Sequence, residues 1–202
     1  MKNKLFFYLL AAAACLSAGC ASKVKVERIG VDEKIDLSGG WNDYDAMSVA
    51  KEMVEDSLKA SWLNQFNESN KRNPRVIIGH VANQSDEHIN SDVFVKYLER
   101  EVMNSGRVIF VASSDERQQV RAEREDQKAG YTDPETIKAH GKERGADFML
   151  IGSVNSVKDQ VKGKSVVYYQ VNMELVNLET NEKVWIGRKE IKKFIKVSKY
   201  SL

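Results

Sequence analysis

Val167, Tyr169, Val171, Met173 and Leu175 alternate with Tyr168, Gln170, Asn172 and Glu174, a period of two that only a strand with one buried and one wet face satisfies. Glu179-Thr180-Asn181-Glu182 is turn chemistry, and Lys183-Val184-Trp185-Ile186-Gly187-Arg188 then supplies a return strand, so the segment closes as an antiparallel hairpin. Just upstream, Asp147 to Val154 is apolar almost without a break, as expected of a strand covered on both faces. The chain is thereby committed to a sheet, and its helical segments must pack on that sheet.

Those segments come earlier. From Trp41 the period is helical: Met47, Ala50, Met53, Val54, Leu58, Trp62 and Phe66 recur at three and four, predicting one helix over residues 44–66 with Asn42 or Asp43 as its cap. Arg75 to Ala82, introduced by Pro74, reads as a buried strand, and Arg107 to Ala112 as another. Between them Asn90, Ser91 and Asp92 offer caps, Phe94, Tyr97, Leu98 and Val102 form an apolar face, and Gly106 terminates a second helix. Asp115 to Lys128 is almost wholly polar with mixed signs, which predicts a solvent-facing helix, a partner-binding helix being the alternative. Tyr131-Thr132-Asp133-Pro134 predicts a further short helix ending near Gly145. The expected fold is α/β of the α+β kind: a small sheet of about four or five strands flanked by helices, ending in an antiparallel hairpin.

The start of the chain has a different character. Lys2 and Lys4 precede an apolar run from Leu5 to Leu16, and Leu16-Ser17-Ala18-Gly19 leads into Cys20, the layout of a secretory signal ending in a bacterial lipobox. Ser17 occupies the place usually held by leucine, and Cys15, after a run of alanines, is a weaker rival for the acylated residue. The apolar run falls short of the roughly 20 residues that span a bilayer, so lipid on Cys20 is expected to anchor the chain. This divides it into a signal peptide over 1–19, a polar tether over 20–40 ending at Ser38-Gly39-Gly40, and a folded domain over 41–202.

Removing residues 1–19 leaves 29 basic and 29 acidic side chains. A neutral domain has no long-range field to draw it to nucleic acid. Both cysteines lie in the leader region, which excludes a disulfide or a cysteine metal site in the mature fold. Gly163-Lys164-Ser165 resembles the end of a phosphate-binding loop, but Lys158 stands where the first glycine belongs and no helix follows. His80, His88 and His140 lack the helical pairing of a zinc site, and His80, in an apolar strand, reads as a core histidine. No Gly-x-Ser-x-Gly elbow occurs. No catalytic, cofactor or metal residues are expected, and the candidates for partner contact are Trp41, Asn42, Asp43 and Tyr44, with Tyr131 beside Asp133, each of which could equally be structural.

Gly145-Ala146-Asp147-Phe148-Met149-Leu150-Ile151-Gly152-Ser153, with Val171-Asn172-Met173-Glu174-Leu175-Val176-Asn177-Leu178-Glu179-Thr180 and Glu182-Lys183-Val184-Trp185-Ile186-Gly187, resembles the LpoB family of lipoproteins. The resemblance covers about Trp41 to Lys192. It implies a fold similar to the amino-terminal domain of TolB, and a monomeric outer-membrane lipoprotein facing the periplasm that binds and activates a bifunctional, class A penicillin-binding protein. Ala21 after the cysteine, in place of the aspartate that retains enterobacterial lipoproteins in the inner membrane, agrees with the outer one. Unlike enterobacterial members, this chain has no proline-rich tether: Pro74 and Pro134 both fall inside the domain. The alternatives are a secretion component resembling CsgG, or a periplasmic adaptor. The first needs strands apolar on alternate positions along about ten residues, whereas beyond Trp185 Arg188 and Glu190 lie on one face and Lys189 and Lys193 on the other.

Overall fold

The computed structural model describes residues 26–31 and 33–196. The expected signal peptide and Cys20 lie outside the described residues. The chain divides into a unit ending at Glu33 and a unit beginning at Lys34, and every helix and strand of the described residues belongs to the second. In chain order these are α1 (Asp43–Lys59), α2 (Ser61–Asn70), β1 (Arg75–Gln84), α3 (Ser91–Asn104), β2 (Ile109–Phe110), α4 (Ser114–Gln127), β3 (Phe148–Val161), β4 (Lys164–Asn177) and β5 (Lys183–Lys196).

The strands form one mixed sheet in the order β2-β1-β3-β4-β5. β1 lies parallel to both β2 and β3, and β3, β4 and β5 run as an antiparallel meander. The alternating residues seen in the sequence all point inward: Val167, Tyr169, Val171, Met173 and Leu175 meet Val49, Met53 and Leu98 from the helices in one core. Trp185 closes that core at β5, with its indole N–H donating to Asp56 at 3.0 Å. The opposite face carries Ile186, Arg188, Glu190, Lys192 and Phe194 along β5, all exposed.

The expected helix over 44–66 is broken. Ala60 is extended (ψ 157°) and separates α1 from α2. The indole N–H of Trp62 donates to Ser57 O at 2.7 Å, beside the C-cap bond that Ala60 N makes to the same carbonyl at 3.2 Å, and the turn carries the Trp62 and Phe66 rings onto Phe148 at centroid distances of 5.1 and 5.4 Å. The periodicity is unbroken because both helices bury the same stripe.

Three further expectations are corrected. The strand over 107–112 shrinks to the two residues of β2. Residues 134–145 form one turn and then irregular chain, not a helix, tied to α4 by Glu143, whose carboxylate takes two bonds from Arg121 (3.1 and 2.8 Å) and one from Arg124 (2.7 Å). His80 is exposed, not a core residue. Ile78 pairs with Leu150 and Val81 with Gly152, so β1 spends one extra residue against β3, and this bulge turns His80 to solvent while returning Val81 to the core. By contrast the polar segment after Ala112 forms α4 with no buried residue, as its composition predicts.

Candidate partner-binding surface

The residues singled out by sequence sit at the head of α1, except Tyr131. Asn42 is the N-cap: its side-chain oxygen accepts from Asp45 N at 2.9 Å while Asp45 accepts from Asn42 N at 3.1 Å, a capping box. Trp41 is half-buried, edge-on to Phe94 (6.2 Å) and Tyr169 (5.6 Å). Both residues thus have structural work. Asp43 is exposed, and Tyr44 is half-exposed with Lys34 Nζ 5.7 Å from its ring centre. Tyr131, 94% exposed, stands apart on the segment after α4.

Beneath that surface lies a polar clasp that the sequence pattern alone does not reveal. Lys193 Nζ donates to Asp45 at 2.5 Å, to Asp36 at 2.6 Å and to Gly40 O at 2.9 Å, which satisfies all three ammonium donors. Its side chain is 9% exposed and that of Asp45 4%. Burial alone would depress the lysine, but the hydrogen bonds it donates to Asp36 and Asp45 outweigh it and hold the ammonium above its ordinary value. The same bond, strengthened by Asn42 Nδ2 at 2.8 Å, holds Asp36 below the usual carboxylate range.

Glu87 forms a second anchor. One oxygen accepts from Tyr169 OH at 2.6 Å and the other from Trp41 N at 3.0 Å. Burial first, and then this bond, push the Tyr169 phenol up. Asp36 and Gly40, which read from sequence as the end of the tether, are therefore bonded to β5, and Trp41 next to them to the β1–α3 connection. A signal for the clasp existed: Ile191, Lys193 and Ile195 share the inward phase of β5, and an inward lysine requires a buried anion.

The enclosed space under the sheet, lined by Met53, Leu98, Met173 and Trp185 among others, amounts to about 20 Å³, room for little more than a water molecule. Among the described residues no group of three or more His, Cys, Asp or Glu side chains could hold a metal ion, and no helix is long and apolar enough to cross a membrane.

Fold and surface together define a small α+β domain whose accessible features lie on its outside. A family model described as the peptidoglycan-synthase activator LpoB matches residues 45–191. The chain belongs to the LpoB family, a family of regulatory activators and not of catalysts. Among solved structures it is similar to the LpoB C-terminal domain from Escherichia coli (17% identity, 74% of this chain and 100% of that one, TM-score 0.47). It is also similar to the corresponding Salmonella enterica domain (16%, 74% and 100%, TM-score 0.45) and to the NMR structure of Escherichia coli LpoB (14%, 89% and 84%, TM-score 0.41). Among curated proteins none matches.

Proposed function

We propose that this protein is an outer-membrane lipoprotein, acylated at Cys20 and facing the periplasm, that binds a class A penicillin-binding protein and stimulates its peptidoglycan synthesis. The family match over residues 45–191 carries this reading, because it spans nearly the whole folded unit and names a synthase activator. The lipobox around Cys20 supports the anchor. The enclosed space of about 20 Å³ is too small for a ligand, so specificity belongs to exposed aromatics and their charged rims, and Tyr44, Asp43 and Tyr131 are the accessible members of the candidate set.

The test is enzymatic. The purified mature protein is expected to raise the glycan-polymerising rate of a class A synthase from the same organism while leaving glycan alone unchanged. Absence of binding at micromolar concentration, in solution or with the two proteins reconstituted in membranes, rules the activator out and leaves an adaptor or a secretion component. Acylation is checked separately: fatty-acid label is expected to vanish in Cys20→Ala and persist in Cys15→Ala, and the reverse pattern refutes the assignment.

A further inference from the structure

We propose that the free end of the β3–β4–β5 meander, together with the strap Lys34–Gly39 beside it, docks on a membrane surface rich in anionic phospholipid, with Phe194, Val161 and Leu37 entering the headgroup boundary. The inference goes beyond synthase activation and takes from the preceding proposal only the lipid anchor at Cys20.

β1 ends at Gln84, opposite Asn155, so past that point β3, β4 and β5 continue without it as a projecting three-stranded end. The register sets Val161 opposite Lys164 and Lys164 opposite Lys196, with Phe194 opposite Val166 one step inward on the same face. Phe194 is 66% and Val161 71% exposed. Lys158, Lys162, Lys164, Lys192 and Lys196 are all exposed there, and none makes an ion pair among the described residues. Asp159 is the one carboxylate in these strand ends, so this end carries a surplus of positive charge although the mature chain is neutral.

The like-charged pair Lys164 and Lys196 is the telling detail. Directly opposed like charges weaken a sheet, and neither ammonium has an ion-pair partner among the described residues. An external anionic surface offsets them. Lysines near such a surface are each worth a factor of about five in binding, and apolar side chains among them add burial at the acyl boundary.

The path of the chain leads to the same place. The strap and Lys192–Lys196 line one shallow cleft, and Gly39 approaches Ile195 so closely that an added Cβ would lie 2.3 Å from it. Leu37 in that strap is 94% exposed. The residues from Cys20 to Glu33 reach at most about 50 Å when fully extended. An anchor at Cys20 therefore delivers this end first and at an effective concentration near millimolar, so a weak surface affinity suffices.

The test uses the chain from residue 20 with Cys20→Ser, so that no acyl group contributes, in sedimentation with vesicles. Binding is expected to vesicles of phosphatidylglycerol with phosphatidylethanolamine and not to phosphatidylcholine. K164A/K192A/K196A is expected to weaken it by about a hundredfold at an unchanged melting temperature. F194S with L37S is expected to weaken it while leaving its salt dependence intact. Equal binding to both vesicle types, no binding to the anionic ones, or full binding by the triple lysine variant overturns the proposal. So does displacement by inorganic phosphate beyond that of sodium chloride at equal ionic strength, which would reveal a site for soluble anions. Binding of the triple variant to the soluble synthase separates the two readings: it is expected to match the parent, and its loss assigns these lysines to the protein partner. If the parent binds vesicles but no synthase, the activator reading alone fails.

Discussion

Lys193 shows how one side chain can define where a domain begins. Its ammonium is shared between Asp36 in the strap and Asp45 in the first turn of α1, and the lysine and Asp45 depend on each other because both are removed from water, whereas Asp36 keeps part of its carboxylate in solvent. Breaking a buried pair by deleting one partner strands the other charge, at about 3–5 kcal/mol. Lys193→Ala is therefore expected to lower the melting temperature by about 10 °C, given the few degrees that each kcal/mol shifts a domain of this size. Adding Asp45→Asn removes the stranded charge and is expected to recover part of the loss. A drop below about 2 °C in calorimetry would show that solvent reaches the ammonium. The sequence displayed the inward phase of Lys193 but not its anions, because Asp36 and Asp45 are some 150 residues distant and only the folded strap brings them in.

At the level of elements, strand and helix types were legible wherever burial imposes a period, and boundaries were not. The hairpin and α3 follow from alternation and caps. The break at Ala60 was invisible because α1 and α2 bury one continuous stripe, and the bulge in β1 because a single extra residue leaves composition unchanged. Two predictions belong here. Gly152 in β3 lies so close to β4 that an added Cβ would sit 2.3 Å from Met173 Sδ and 2.5 Å from Asn172 O. The sulfur can move but the carbonyl cannot, so Gly152→Ala is expected to cost about 1–3 kcal/mol in denaturant unfolding, and a neutral result would mean that β3 and β4 separate without strain.

The second concerns the segment between α4 and β3. Hydrogen bonds from Arg121 and then Arg124 hold the Glu143 carboxyl at about 2, below its ordinary 4.5. A depressed carboxylate contributes its tie fully above pH 4.5 and loses it as pH falls towards 2. Amide exchange over residues 129–145 is expected to accelerate selectively in that window, and Arg121→Ala to give the faster exchange already at neutral pH. Uniform acceleration across the molecule would show that Glu143 holds nothing local.

For the molecule as a whole, the fold class and the family could be read from the sequence, since both reside in core and hairpin positions. The candidate surface could be read only in part. Trp41 and Asn42 looked like contact residues because aromatic and amide side chains after Gly-Gly are equally suited to packing and capping, and the structure uses them for both. The basic end of the sheet was hidden by net charge, which averages over the very segregation that matters.

The clasp also has a mechanical meaning. Under the proposed acylation at Cys20, a pull on the anchor would enter the folded unit at Lys34 and meet Asp36 and Gly40 before it reached α1. Lys193 passes the load sideways into β5, which is zipped along its length to β4. The strap would thus work as a strain relief, like the clamp where a cable enters a housing: tension from such an anchor would be spread over the sheet, and the head of α1, with its exposed Asp43 and half-exposed Tyr44, would keep its shape under load.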